Sequence, residues 1–281
     1  MPSTGARRAT AAADPCLPQK ETLMLRMTTL ASALALIAGG ALAEEIKVGV
    51  SPGEHAEIME EVAKIAAPKG LEIDVIEFSD YVVPNQALAD GDIQANSFQH
   101  QPYLDNQVKD RGFDLVPVAT TITTPMGLYS SKIESLDDLP EGAQVGIPND
   151  PTNGGRALLV LQDLGQIKLA EGTGLTPSVL DVTENPKGIK FQELDAAQLP
   201  RSLADLDAAL INTNYALASG LNPKTDAIAT EKADSPYVNI IVVRNGDQEQ
   251  PWVKTLVEAY HSPELKAFID EKYQGSVITS W

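Results

Sequence analysis

The chain has 281 residues, 43% of them apolar, and a formal charge of −18 from 39 acidic and 21 basic side chains. So acidic a surface excludes nucleic acid and an anionic membrane face as partners, since both would repel it. Its single cysteine, Cys16, allows neither a disulfide framework nor a cysteine-based metal cluster.

Residues 1–43 carry the pattern of a targeting segment. Arg26 precedes an apolar stretch, 30–37, which is followed by Gly39, Gly40 and Ala41-Leu42-Ala43. A basic flank, a short apolar core and a small-residue site together read as a secretory signal peptide. The apolar run is well short of the roughly 20 residues a membrane-spanning helix needs. Such a peptide can equally begin at Met24 or Met27, which makes 1–23 an upstream extension without a role in the fold. No cysteine follows the apolar core, so the expectation is a periplasmic protein without a lipid anchor.

From Glu45 onward strands alternate with helices. Residues 45–50 alternate polar and apolar and end at the turn Ser51-Pro52-Gly53. Ile58, Val62, Ile65 and Ala66 then recur at helical spacing until Pro68 and Gly70. Residues 71–78 form a second strand, and a loop with Asp80 and Tyr81 leads into a helix over 85–89, closed at Gly91. This order implies a parallel sheet covered by helices. The scheme recurs with a strand at 142–148, an apolar helix at 156–164 closed by Gly165, and a short strand at 191–194. A helical stretch at 202–207 and a buried strand at 208–211 follow. Residues 237–244 are the longest β-branched run and should lie at the centre of a sheet. Helices at 251–260 and 263–273 finish the chain. Two α/β units in tandem suggest two lobes facing a cleft, with 123–129 and 236–243 as crossovers.

Eight segments, in order, resemble the NlpA/MetQ family of methionine-binding proteins that serve ABC transporters. They include Asp80-Tyr81-Val82-Val83-Pro84-Asn85, the run from Gly91 to His100, Pro102-Tyr103-Leu104 and Pro148-Asn149-Asp150-Pro151-Thr152-Asn153. Leu180-Asp181-Val182 through Pro186, the run from Gln198 to Leu203, Ile211 to Ala216 and Ser235 to Asn239 complete the set. The resemblance implies a type II-like periplasmic binding protein of α/β class, each lobe a mixed or parallel sheet flanked by helices, with the ligand in the cleft between them. The implied division is a first lobe of 44–124 plus 240–281 and a second lobe of 125–239. Two departures stand out. Ala43 precedes Glu44 where many members carry a lipobox cysteine, and Asn153-Gly154-Gly155-Arg156 has a glycine where the family often has a larger apolar residue. A mobile loop is expected at the glycines.

A zwitterionic amino acid needs a cation or helix-start N–H groups for its carboxylate, acceptors for its ammonium, and a pocket for its side chain. Arg156, after a turn rich in Asn, Asp and Gly, can grip a carboxylate bidentately beside helix-start N–H groups. The same residue also suits a surface pair with Asp150, and the resemblance tips the reading to the ligand. Asn212, Asn214 and Asn239 stand at the ends of buried strands, where open α/β sheets bind ligands. Asparagines at such places also simply form turns; by resemblance Asn212 and Asn239 contact ligand. Only 5% of the chain is aromatic, yet Tyr81, Phe98 and Tyr103 cluster with His100 within 81–103. Thioether sulfur gains about 0.3–1.5 kcal/mol per aromatic contact, so this wall suits methionine. Core packing is the alternative for Phe98, and a structural histidine for His100; by resemblance Tyr81, His100 and Tyr103 belong to the site.

Enzyme signatures are thin. His55, His100 and His261 have no metal-ligand spacing, and no nucleophile elbow, P-loop or dinucleotide fingerprint is present. Ser51-Pro52-Gly53-Glu54-His55 imitates a nucleophile loop but reads more simply as a turn opening on the cleft. The expectation is a monomeric binding protein, without cofactor or metal, that delivers L-methionine to an ABC permease. D-methionine, a methionine dipeptide or another apolar amino acid are alternative ligands, and an exported hydrolase or isomerase is the alternative class.

Overall fold

The strand Glu44–Val50 runs parallel to Leu71–Glu77 on one side and to Ala95–His100 on the other. In the computed structural model, which describes residues 43–281, these three strands and two more form the sheet of the first lobe. The signal-peptide reading of 1–43 falls, Ala43 apart, outside the described residues. Beyond Ala95–His100 come Asn239–Arg244 and then Leu115–Thr120, both contacts antiparallel. The sheet is therefore mixed, and the β-branched run predicted at a sheet centre is an interior strand paired on both edges.

A second five-stranded sheet has the order Lys190–Leu194, Gln144–Pro148, Ala208–Ile211, Gly127–Tyr129, Ala227–Thr230. Its first three strands are parallel and its last two pairings antiparallel. The fold is thus two-lobed α/β, and the chain passes between the sheets at 121–126 and again at 231–238. At the first passage Ile122–Thr123 pairs with the C-terminal strand Ile278–Thr279.

Each lobe has its own core. Val48, Val50, Ile58, Met59 and Val62 pack with Leu256, Leu265 and Ile269 in the first. Val145, Ile147, Leu158, Leu161 and Leu210 fill the second. Burying one such side chain is worth about 1.5–3 kcal/mol, which is why the apolar runs of the sequence became the strands and helices expected of them.

The segment from Ala95 to Thr120 escaped the periodicity reading. It contains the strand Ala95–His100, the helix Gln101–Arg111 and the strand Leu115–Thr120. Ala95–His100 is buried at every position despite its polar composition. Its amides satisfy one another: Asn85 Nδ2 donates to Gln99 Oε1 at 2.9 Å, and Asn96 Nδ2 and Gln99 Nε2 donate to Asn85 Oδ1 at 2.9 and 2.7 Å. A buried polar strand of this kind shows no alternation.

Three further differences have local causes. The helix expected at 156–164 begins earlier, as Pro151–Asp163, because Asp150 caps it and Pro151 suits a first turn that lacks a donor. Helix at 202–207 is replaced by a short helix, Leu199–Ser202, which opens with Pro200 and gives way to turns before Ala208. The two glycines expected to loosen a loop lie inside Pro151–Asp163. A Cβ at Gly154 would stand 2.6 Å from Pro148 O, and one at Gly155 2.9 Å from Leu175 O. Close packing against backbone, rather than mobility, explains glycine there.

Candidate functional site

All eight residues singled out in the sequence line one pocket. His55, Gln99, Thr124 and Asn153 line it as well. The topology explains the convergence. His100 ends its strand, Asn239 sits opposite it in the antiparallel register, and Asn212 follows directly on Ala208–Ile211.

Arg156 lies in the second turn of Pro151–Asp163 and is only 3% exposed. Its partner is Glu231 and not Asp150. Arg156 Nε is 3.1 Å from each Glu231 carboxylate oxygen, and Nη2 bonds the same carboxylate and Thr124 O, the latter at 2.8 Å. The guanidinium also lies over the Tyr237 ring, 4.6 Å from its centroid. Among the described residues Nη1 makes no hydrogen bond, so one prong of the expected fork remains open. The helix-start N–H groups assigned to a ligand are already engaged: Asp150 accepts from Thr152 N at 3.2 Å and from Asn153 N at 2.9 Å.

The amides next to Arg156 form a chain with open ends. His100 Nδ1 accepts from Tyr103 N at 3.1 Å, which leaves the ring proton on Nε2, 3.2 Å from Asn153 Oδ1. Asn212 Nδ2 donates to the same Asn153 oxygen at 2.8 Å. Asn212 Oδ1 and Asn214 Nδ2 are buried without a partner, one an acceptor and the other a donor. Buried polar atoms in this condition are costly unless something pairs with them. Asn239 Nδ2 is engaged with Ile122 O at 3.1 Å.

Tyr81, Phe98 and Tyr103 stand with ring centroids 6.0–6.1 Å apart. Tyr215, which the sequence did not single out, adds a fourth ring 5.0 Å from Tyr81. Tyr103 donates to Tyr81 O at 2.9 Å, and Tyr215 OH reaches across the lobes to Ser79 O at 3.2 Å. Phe98 thus serves the wall as well as the core. His100 is both a structural helix cap, as its plainer reading held, and a pocket residue.

The histidines of the pocket are neutral. Burial, reinforced by the Arg156 charge, drives His100 down to about 3, and burial alone takes His55 down to about 4. Glu54 is pushed up to about 8 by burial, so its carboxyl keeps its proton at neutral pH. Of the segment Ser51 to His55, expected to open on the cleft, His55 lines the pocket and the turn itself packs against the helix Thr213–Ala218. Gly53 has φ 87°, and a Cβ there would lie 2.5 Å from Asn214 O. No group of three or more potential ligand side chains is placed to hold a metal, and no helix is long and apolar enough to cross a membrane, among the described residues.

Asn153 was within reach of the sequence reading, since it sits in one of the family-like motifs. Glu231 carried no signal, because its pairing with a residue 75 positions away is visible only in the fold.

The family model for the NlpA lipoprotein matches residues 46–281. The D-methionine-binding lipoprotein MetQ of Escherichia coli K12 is 51% identical over 239 residues, covering 84% of this chain and 88% of the relative. The protein of that name from Salmonella typhimurium is 48% identical, covering 92% of this chain and all of its own length. Among solved structures, a nutrient binding protein from Burkholderia cenocepacia bound to methionine is 56% identical with a TM-score of 0.82, covering 84% of this chain and 100% of that one. A periplasmic substrate-binding protein of an ABC transporter from Coxiella burnetii is 44% identical with a TM-score of 0.80, covering 84% and 100%.

These names overturn one expectation. Absence of a lipid anchor was inferred because no cysteine follows the apolar core, yet the matched family and the curated relatives are lipoproteins by name. Lipid attachment uses a cysteine thiol, and the only one, Cys16, lies outside the described residues. Matched from residue 46 to its last residue, and about half identical to curated relatives along most of its length, the chain belongs to the NlpA lipoprotein family.

Proposed function

We propose that this chain is the substrate-binding component of an ABC importer and that its ligand is methionine. One observation carries the reading: an open guanidinium prong, unpartnered amide groups and an aromatic wall meet in a single buried pocket. Arg156 Nη1 takes the carboxylate and Asn212 Oδ1 accepts from the ammonium. Asn214 and Asn239 orient the ligand, while Tyr81, Phe98, His100 and Tyr103 enclose the thioether. Burial holds the Tyr81 phenol well above its usual range, so it stays protonated as a donor. In this reading 44–124 with 240–281 and 125–239 are the two bodies that close on the ligand. The pocket is complete within one chain, which supports action as a monomer. No group in it is set up to break a bond, which supports a binding protein rather than an enzyme.

The names of the relatives favour a second ligand, the D-enantiomer. Calorimetric titration with L- and D-methionine, after unfolding and refolding to strip bound ligand, tests both. Tight binding of either enantiomer supports the proposal and ranks the two. No heat from either, in protein shown to be folded, overturns methionine as the ligand.

A further inference from the structure

Arg156 lines the pocket, and Glu231, outside its lining, lies behind the guanidinium as the opposite charge; their side chains are 3% and 9% exposed. Glu231 stands at the second passage between the sheets, and Met126 N, at the end of the first, donates to its Oε2 at 3.0 Å. Ser235 Oγ donates to its Oε1 at 2.9 Å. The carboxylate is thus fixed from three sides, and its charge lies directly against the guanidinium.

The other ionisable groups near the pocket add little net charge. His55 and His100 are neutral, and Glu54 keeps its proton. The Asp150 carboxyl is committed to the start of Pro151–Asp163, accepting from Thr152 and Asn153. The partial positive charge of a helix N-terminus offsets a carboxylate placed there. Arg156 and Glu231 are therefore the opposed charges that lie directly against one another at the pocket wall, while Asp150, Asp80 and Asp195 act on its tyrosines.

We propose that Glu231 is the residue that sets charge specificity: by cancelling, from behind the pocket wall, the Arg156 charge that faces the pocket, it selects ligands whose own charges sum to zero. A free amino acid meets that condition. Its carboxylate faces Arg156 Nη1, and its ammonium meets neutral acceptors such as Asn212 Oδ1. An N-acylated amino acid brings an uncompensated negative charge, and an amidated one an uncompensated positive charge. In a site removed from water such an excess is felt strongly. Glu231 differs here from a residue that merely holds Arg156 in place. The arginine is also held by Thr124 O and the Tyr237 ring, and a glutamine at 231 could still accept from Nε. Removing the carboxylate's charge changes the electrostatics of the pocket more than its shape.

The inference rests on methionine being the ligand, and its test separates the two. Wild type, Glu231→Gln and Ser235→Lys are titrated with L-methionine, N-acetylmethionine and methioninamide at about pH 6, where an α-amine is protonated. The ratio of N-acetylmethionine affinity to methioninamide affinity should rise at least about tenfold in Glu231→Gln. Ser235→Lys, on a partly exposed loop, places an ammonium beside Glu231 and should move the ratio the same way by less. It also decides the matter if Glu231→Gln does not fold. A structural role would weaken all three ligands alike. A ratio that fails to rise in the folded variants, including the case in which neither derivative binds, overturns the assignment of Glu231. Failure of the wild type to bind methionine overturns the ligand reading instead.

Discussion

The phenol of Tyr81 donates to Asn214 Oδ1 at 2.5 Å, joining the loop after the second strand of the first lobe to the helix Thr213–Ala218 of the second. With Tyr215 OH on Ser79 O, it fastens one side of the cleft by groups that belong to the protein alone. In the proposed closure on a ligand, these two bonds would come from the protein alone.

Tyr81→Phe removes that bond and leaves Asn214 Oδ1 buried without a donor. An unmet buried acceptor costs about 1–3 kcal/mol, so methionine affinity should fall roughly five- to a hundredfold. Calorimetry gives the affinity, and small-angle scattering of the ligand-free variant should show a more open particle than wild type. Unchanged affinity would mean that the bond contributes nothing to the bound state.

Arg156→Ala should weaken methionine binding by at least about 2 kcal/mol, as expected when one member of a buried charge pair is lost. It should also destabilise the fold, because Glu231 is left as a buried charge without its partner; breaking such pairs costs about 3–5 kcal/mol. Urea unfolding without ligand isolates the second effect. Wild-type affinity in a folded variant would remove Arg156 from the site.

The buried ionisable groups predict an unusual pH profile. Glu54 binds its proton up to about 8 when folded, against an ordinary value of 4.5. The native state therefore holds an extra proton between those limits, and stability falls as pH rises through them. His55 and His100 act in the opposite sense. Their values drop from 6.5 to about 4 and about 3, so stability rises with pH until 6.5 is passed. Between the ordinary glutamate and histidine values the two histidines outweigh the single glutamate, and above the latter Glu54 acts alone among the three. Stability should peak near neutrality on the acid side and decline toward about pH 8. Glu54→Gln should abolish the decline while leaving the acid limb, as thermal unfolding across the range would show. A decline of equal slope in the variant would assign it to another group.

Gly154→Ala and Gly155→Ala set two effects against each other. Alanine favours helix over glycine by about 1 kcal/mol, but the added Cβ would sit 2.6 Å from Pro148 O or 2.9 Å from Leu175 O. Both neighbours are backbone and yield little, and overpacking of this kind costs about 1–3 kcal/mol. The steric term should win, lowering the urea midpoint in each variant. A raised midpoint would show that the helix can shift.

Much of this architecture is legible in the sequence wherever burial is one-sided and apolar. The alternation of 45–50, the helical spacing of Ile58, Val62 and Ile65, and the β-branched run ending at Arg244 all became the elements they announced. Ala95–His100 was illegible because its stability comes from amide pairs with Asn85, which no periodicity records. The pocket divides in the same way. Its aromatic and asparagine members were found through motifs carried as contiguous strings. Glu231 and Tyr215 matter because of what the fold brings beside them, a carboxylate for Arg156 and a ring for Tyr81. The supposed Arg156–Asp150 pair failed for a local reason, since a carboxylate at a helix start bonds the nearest free N–H groups first.

The pairing of Ile278–Thr279 with Ile122–Thr123 has a practical meaning. Ser280 N adds a bond to Thr121 O at 2.9 Å, and the Trp281 ring stacks on His261 at 5.1 Å. The tail thus packs against the first passage between the sheets and does not extend along the far edge of either sheet. If the two lobes close as proposed, a probe or surface tether attached after Trp281 would sit beside the passage between them, where displacement is smallest. Under that proposal it would leave both lobes unencumbered, whereas a probe on the exposed Leu180 side chain would travel with the second lobe.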